Sequence, residues 1–307
     1  MNDERAQCPH PEGWTRPRFS VGTTGAVVLF LLSAGPSVRL SAQSVDDLAV
    51  RFAAMTAVTG LEQAMTDTLL TLLPGSIRDR AGNVTVSLGS GTPRRLVACA
   101  LDEVGYVVGG ITDAGYLTLR RVGARVAYPL FDQQLEGQRV NVFGARGAVP
   151  GVVAVRSVHL TRGRGGAPEA PFTVDNAYVD VGATTRAEAE ALGIALLAPV
   201  SLAKRPVVYG DRLLAAPAAG RRATCAALAA AATAQPHVRG TVVVAFTVQS
   251  LYTSNAGLGA VKALQGPFAE IKQPSLPTRY PDTAIETVAL TDASALARQL
   301  VAWMEGR

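Results

Sequence analysis

Apolar positions along this chain follow two periods, helical and extended, and the places where one gives way to the other mark its organisation. Ser44-Val-Asp-Asp47 precedes Leu48, Phe52 and Met55, which share one helical face. Ser44 can cap and Asp47 sits three residues on, so a helix is expected to begin there. Gly60 ends it, and a second helix is expected over 61–73, before Pro74-Gly75. Stretches 84–88 and 96–100 read as strands parted by the turn-rich 89–93.

From Gly105 the texture changes to short β segments: 106–108 and 116–119 about a turn at 113–115, then 139–143 and 151–155. Frequent short strands with Gly/Pro turns predict a small barrel or sandwich. Within it, a short helix at 184–192 ends at Gly193, a natural C-cap residue, and Arg162-Gly-Arg-Gly-Gly166 reads as a loop. Helix–strand alternation then returns, with an alanine-rich helix at 220–234, a strand at 241–248, a helix at 257–264, a strand at 285–290 and a helix at 291–303. The expected fold class is α/β: a mixed sheet with helices on both faces, interrupted by a small β-rich, barrel-like inserted domain. The α/β part is expected over 43–102 and 206–307, and the insert over 103–205.

The N-terminus reads differently. Arg16 and Arg18 precede the apolar run from Ala26 to Ala34, and small residues follow at Ser41-Ala42. These are the parts of a secretory signal peptide, so 1–42 is expected to be a leader cleaved near Ala42. The run is shorter than the roughly 20 apolar residues a membrane span needs. A periplasmic or secreted protein with no stable membrane span is therefore expected, an uncleaved N-terminal anchor being the alternative. Asp3, Glu4 and Glu12 ahead of the basic pair, and Arg39 in the exit region, sit poorly with the pattern.

Composition adds mostly exclusions. The chain is 48% hydrophobic and 17% charged over 307 residues, too apolar for disorder. Its net charge of +5 is spread over arginine pairs rather than a recognisable nucleic-acid module, so no nucleic-acid partner is expected. After cleavage Cys99, Cys225, His159 and His237 remain. No C-x-x-C, H-E-x-x-H or H-x-x-E-H occurs, and this is a poor metal inventory. The two cysteines could pair in an oxidising compartment, but nothing local demands it, and buried thiols are the expected state.

Several segments resemble the glutamyl-aminopeptidase and endoglucanase-M-like family, the tetrahedral aminopeptidases, from Ser44 to the C-terminus and in the same order. Tyr178-Val-Asp-Val-Gly-Ala-Thr-Thr-Arg-Ala-Glu-Ala-Glu-Ala-Leu-Gly193 resembles the family's D-x-G-A-x-S/T-x-x-E-A-x-x-x-G segment. Leu101-Asp-Glu-Val-Gly105, Glu136-Gly-Gln-Arg-Val140, Pro150-Gly-Val-Val153, Phe246-Thr-Val-Gln249 and Pro277-Thr-Arg-Tyr280 resemble its other signatures. The resemblance implies a peptidase domain holding two metal ions and an inserted barrel used for dimer contacts, hence a homo-oligomer or assembly with an active paralogue.

The same resemblance implies a lost site. Such enzymes hold their metals on two histidines, a bridging aspartate and further carboxylates, with a glutamate as general base. The first histidine falls on Ala100, and its orienting aspartate survives as Asp102, beside Glu103. The bridging aspartate falls on Gly220, the aspartate after it on Arg221, and the family's arginine on Arg222. The base and ligand glutamates fall on Ser250 and Leu251, and the last histidine on Asp282. The stretch between Gln249 and Pro277 is shorter than the family's and is expected to lack the strand bearing the remaining carboxylate. No catalytic residue, metal or other cofactor is therefore expected. Arg221 or Arg222 is expected to pair with Asp102, Glu103 or Asp282 in place of the metals, Arg221 being the newer residue.

Other chemistry is weaker. Ser250 lacks an evident base or Gly-x-Ser-x-Gly elbow. Gly257-Leu-Gly259 opens a helix as a dinucleotide fingerprint does, but Lys262 stands where the third glycine belongs, so a tight helix entry explains it better. The expected function is an exported, catalytically inactive aminopeptidase-like protein with a binding or assembly role. An active hydrolase using a non-standard site and a structural periplasmic protein are the alternatives.

Overall fold

The computed structural model describes residues 44–123, 129–154, 172–252 and 255–307. The expected leader, His159 and the glycine-rich loop at 162–166 lie outside them. No described helix is long and apolar enough to cross a membrane.

The Ser44 hydroxyl accepts the Asp47 amide N–H at 3.1 Å and opens α1 (Val45–Ala53). Then come α2 (Gln63–Leu72), β1 (Ile77–Arg78), β2 (Val84–Gly89) and β3 (Arg94–Ala100). The middle of the chain carries β4 (Gly105–Ile111), β5 (Leu117–Val122), β6 (Arg139–Gly144), β7 (Gly147–Val153), β8 (Tyr178–Asp180), α3 (Arg186–Ala191) and β9 (Pro199–Leu202). After it run β10 (Val207–Tyr209), β11 (Leu213–Ala215), α4 (Ala219–Thr233) and β12 (Thr241–Thr247). The chain closes with α5 (Ala256–Gln265), β13 (Glu270–Lys272), β14 (Thr287–Ala289) and α6 (Leu290–Glu305).

The main sheet is mixed, in the order β1-β2-β12-β3-β13, with β12 and β13 parallel to β3 and β12 antiparallel to β2. Alternation along its central strands explains the layers. Val97, Cys99, Val242, Val244 and Phe246 pack with α1, α4 and α6, whereas Leu96, Ala98, Val243 and Ala245 face Leu258 and Val261 of α5. Both faces are thus covered, which is why these strands read as continuous apolar runs. The alanines of α4, buried along nearly its whole length, let the helix sit close to its neighbours. A second, three-stranded antiparallel sheet runs β10-β11-β14.

Strands β4-β5-β8-β7-β6-β9 close into a barrel. Val108, Leu117, Leu119, Val140, Val142 and Val200 fill it. The α/β class with helices on both faces and a barrel-like β unit is therefore the observed architecture. Six short strands, β1, β8, β9, β10, β11 and β13, were not anticipated, and the strand expected over 285–290 shortens to β14 because Leu290 begins α6. A strand, β13, does form between Gln249 and Pro277. It pairs only with Arg95, Leu96 and Val97, far from the Ala100 end of β3. Its exposed Glu270 accepts the Trp303 indole N–H at 2.7 Å.

Candidate functional site

The carboxyl ends of parallel β3 and β12 lie side by side, with Ala100 in register with Thr247. The chain beyond them, together with the N-terminal end of α4, forms the crevice in which α/β proteins place their sites. A cavity of ≈ 490 Å³ opens there. Ala100, Glu103, Gly220, Arg221, Ser250, Leu251 and Asp282 all line it. Asp102 and Arg222 are buried behind its wall, 0% and 1% exposed. Four separate chain segments are thus brought together, as the resemblance implied.

Arg221 meets Asp102 twice. Its Nη1 donates to the Asp102 carbonyl at 2.9 Å and stands 3.5 Å from the carboxylate Oδ1. The same nitrogen donates to Ser250 Oγ at 2.8 Å, and the Leu251 amide donates to Asp102 Oδ2 at 2.9 Å. Arg222 serves the next acid: its Nη2 is 3.1 Å from Glu103 Oε2, and Nη1 donates to the Leu101 carbonyl. Both arginines therefore hold acids, each its own. Asp282 holds neither among the described ion pairs; it is exposed, with a positive φ of 60°.

Two charged residues of the site, and a third beside it, went unread in the sequence. Lys204, just past β9, reaches back to ion-pair with Glu103, and both are almost completely buried. Burial pushes the Glu103 carboxyl up, but Lys204 and Arg222, with the Ala57 amide, outweigh it and hold it below its ordinary range. Burial, with Arg222 nearby, holds Lys204 below its ordinary range despite the pull of Glu103. Glu286 accepts the Gly220 amide at 3.2 Å and the Asp282 amide at 2.9 Å. It supplies the acidic partner that α4 lacks, because Ala218 makes no side-chain cap and the first turn has no acid. Burial, then the nearby Asp282, push its pKa up. Glu62 lies beneath the loop after β12, accepting the Gln249 amide at 2.8 Å. Glu286 stood four residues beyond Asp282 and was open to notice; nothing local marked Lys204 or Glu62.

The donor set does not fit a pair of metal ions. Ala100, Gly220 and Leu251 offer no side-chain donor, and a catalytic zinc needs about three protein ligands. The carboxylate of Asp102 and the hydroxyl of Ser250 are engaged by Arg221, whose positive charge opposes a dication in the same space. Among the described residues no three His, Cys, Asp or Glu side chains gather as a metal group. Gly220 is also sterically fixed, since a Cβ there would lie 2.2 Å from Thr278 Oγ1. Among the described residues Ser250 gains no histidine base: His237 is exposed ahead of β12, at the far end of that strand. Gly257 permits the tight entry to α5, where a Cβ would lie 2.2 Å from the Val248 carbonyl.

The cysteines correct the expectation of buried thiols. Cys99 and Cys225 form a disulfide, with Cα atoms 5.5 Å apart. The signal was hidden because only the packing of α4 on β3 brings two residues 126 apart in sequence into range.

Residues 82–250 match the M42 glutamyl aminopeptidase family. Over 181 residues the chain is 31% identical to the candidate aminopeptidase SgcX of Escherichia coli (strain K12), covering 56% of this chain and 46% of that protein. It is 33% identical over 118 residues to a lysyl aminopeptidase of Pyrococcus furiosus, covering 38% and 32% of the two chains. The chain spans about half the length of the first curated relatives it matches. Among solved structures, an aminopeptidase from the archaeon Desulfurococcus kamchatkensis superposes with a TM-score of 0.72 at 17% identity, over 86% of this chain and 95% of that one. The Pyrococcus horikoshii TET1 peptidase, which can assemble into a tetrahedron or a large octahedral shell, gives 0.69 at 20% identity, over 85% and 99%. At those identities the likeness is one of fold.

Proposed function

The chain belongs to the M42 glutamyl aminopeptidase family, and from that premise we propose that it is a non-catalytic member, exported and used for binding or assembly. The observation that carries the reading is Arg221 on Asp102: a guanidinium pairs with the buried acid at a position where the resemblance implies an aspartate beside the metals. A water molecule becomes a strong nucleophile at neutral pH when a metal lowers its pKa from 15.7. Arginine polarises its neighbours but offers no coordination site for such a water. The residues that remain form ion pairs with one another, Arg221 with Asp102 and both Arg222 and Lys204 with Glu103, and these pairs brace the cleft.

Export is supported by the leader-like N-terminus and by the Cys99–Cys225 disulfide, a bond that persists in oxidising compartments. An assembly role is supported by the closed barrel and by the family signatures at 136–140 and 178–193. The partner is a second copy or an intact family member. The test is affinity purification of the tagged full chain from its own source, with light scattering of the product at micromolar concentration. A dimer or larger species, or a co-purifying intact relative, supports assembly; a strictly monomeric mass with no partner overturns it. Hydrolysis of aminoacyl anilides by the purified chain, abolished in Ser250→Ala, would favour instead an enzyme with a non-standard site.

A further inference from the structure

A second cavity, ≈ 680 Å³, lies between the α1–α2 connection and strands β6 and β9 of the barrel. That volume is within the range of small-molecule sites. Its apolar walls are Met55, Leu61, Phe143, Pro199 and Val248. Set into them is Glu62, only 4% exposed. Both hydrogen bonds that Glu62 receives from other residues, from Gly60 at 2.9 Å and Gln249 at 2.8 Å, end on Oε1. Oε2 accepts none from any other described residue. The two cations on the cavity wall are committed elsewhere, Lys204 to Glu103 and Arg78 to Asp67 and Thr66.

We propose that this cavity binds a small organic cation, an ammonium group on an apolar body, with the ammonium against Glu62 and the body against Met55, Leu61, Phe143 and Pro199. The motive is electrostatic. A carboxylate withdrawn from water is costly without a counter-charge, and burial, with Asp102 nearby, already pushes the pKa of Glu62 up. A cation relieves that cost, whereas a neutral ligand does not and an anion adds to it. An apolar body suits the remaining walls, and no other group there asks for a second charge. Lys204 lines both cavities but is committed to Glu103, and neither Glu62 nor the apolar walls belong to the residues that replace the metals, so the site stands or falls separately from the proposed function.

The experiment is calorimetric titration of the full chain with phenethylammonium, phenethyl alcohol and 3-phenylpropanoate. The expected result is saturable binding of the ammonium at least about tenfold tighter than the alcohol, with no binding of the carboxylate. Glu62→Gln keeps an Oε1 acceptor for Gly60 and Gln249 and should bring the ammonium down to the affinity of the alcohol. Leu61 is 42% exposed at the rim, so Leu61→Trp can narrow the cavity without touching the core, and should weaken the ammonium as well. Equal affinity for ammonium and alcohol, failure of the ammonium to bind, or full affinity in Leu61→Trp or a folded Glu62→Gln overturns the proposal.

Discussion

Arg221 Nη1 stands 3.5 Å from Oδ1 of the fully buried Asp102, and that oxygen accepts no hydrogen bond. The pair is therefore a close electrostatic contact, with the hydrogen bond of that nitrogen directed to the Asp102 carbonyl instead. Because the Arg221 side chain is 34% exposed, solvent screens part of the interaction. Arg221→Ala should destabilise the fold by about 1–3 kcal/mol, the range for stranding a buried acceptor. The loss should shrink in an Asp102→Asn background, as a double-mutant cycle in urea would show. Additive losses would mean the two residues do not interact.

Arg222 should matter more. It is 1% exposed and holds Glu103, so Arg222→Ala leaves a buried carboxylate with one cation, Lys204, and should cost about 3–5 kcal/mol. Chemical denaturation of both alanine variants checks the order. A smaller loss for Arg222 than for Arg221 would contradict the burial argument.

Gly220 cannot simply regain a side chain. A Cβ at that position meets Thr278 Oγ1, which is held by its own hydrogen bond to the Leu276 carbonyl at 3.0 Å. Gly220→Ala should cost about 1–3 kcal/mol by overpacking. Adding Thr278→Ala removes the obstructing oxygen and should recover part of the loss. No recovery in the double variant would place the obstruction elsewhere.

The disulfide is open to direct proof. Digestion without reductant should release the Cys99 and Cys225 peptides as one cross-linked species. Replacing both cysteines by alanine should cost about 2–5 kcal/mol, the range for removal of a native disulfide. Free thiols on the purified native chain would contradict the assignment.

Glu286 predicts a pH dependence with a definite sign. Its folded-state pKa lies above the ordinary 4.5, so the folded chain binds a proton that the unfolded chain has released. Stability supplied by this group is present below that value and is lost as pH rises through the folded pKa. Glu286→Gln carries no such titration. The stability difference between native chain and variant should therefore shift against the native chain as pH climbs from about 4.5. A difference that stays flat, or moves the other way, would show that burial does not govern this carboxyl.

Much of the fold was legible because its signals are local. Ser44 capping α1 and the apolar runs of β3 and β12 are properties of neighbouring residues. The strands β8, β10, β11 and β13, of three residues each, carry too few positions to establish a period. The order of family signatures set Ala100, Gly220, Ser250 and Asp282 together before any contact was known, and these four line one cavity. The chemistry around them was less legible. Lys204 finds Glu103 across 101 residues, Glu286 finds Gly220 across 66, and Cys99 finds Cys225 across 126. Each depends on closure of the barrel or docking of α4, and no spacing along the chain announces it.

The central claim is that Arg221 and its neighbours have taken the place of the family's metal pair. The most direct test is elemental analysis of the purified chain after incubation with zinc, cobalt or manganese and thorough desalting. The account predicts no stoichiometric metal, and no gain in hydrolysis of aminoacyl anilides on loading. One or two tightly held ions per chain, with metal-dependent hydrolysis, would contradict it.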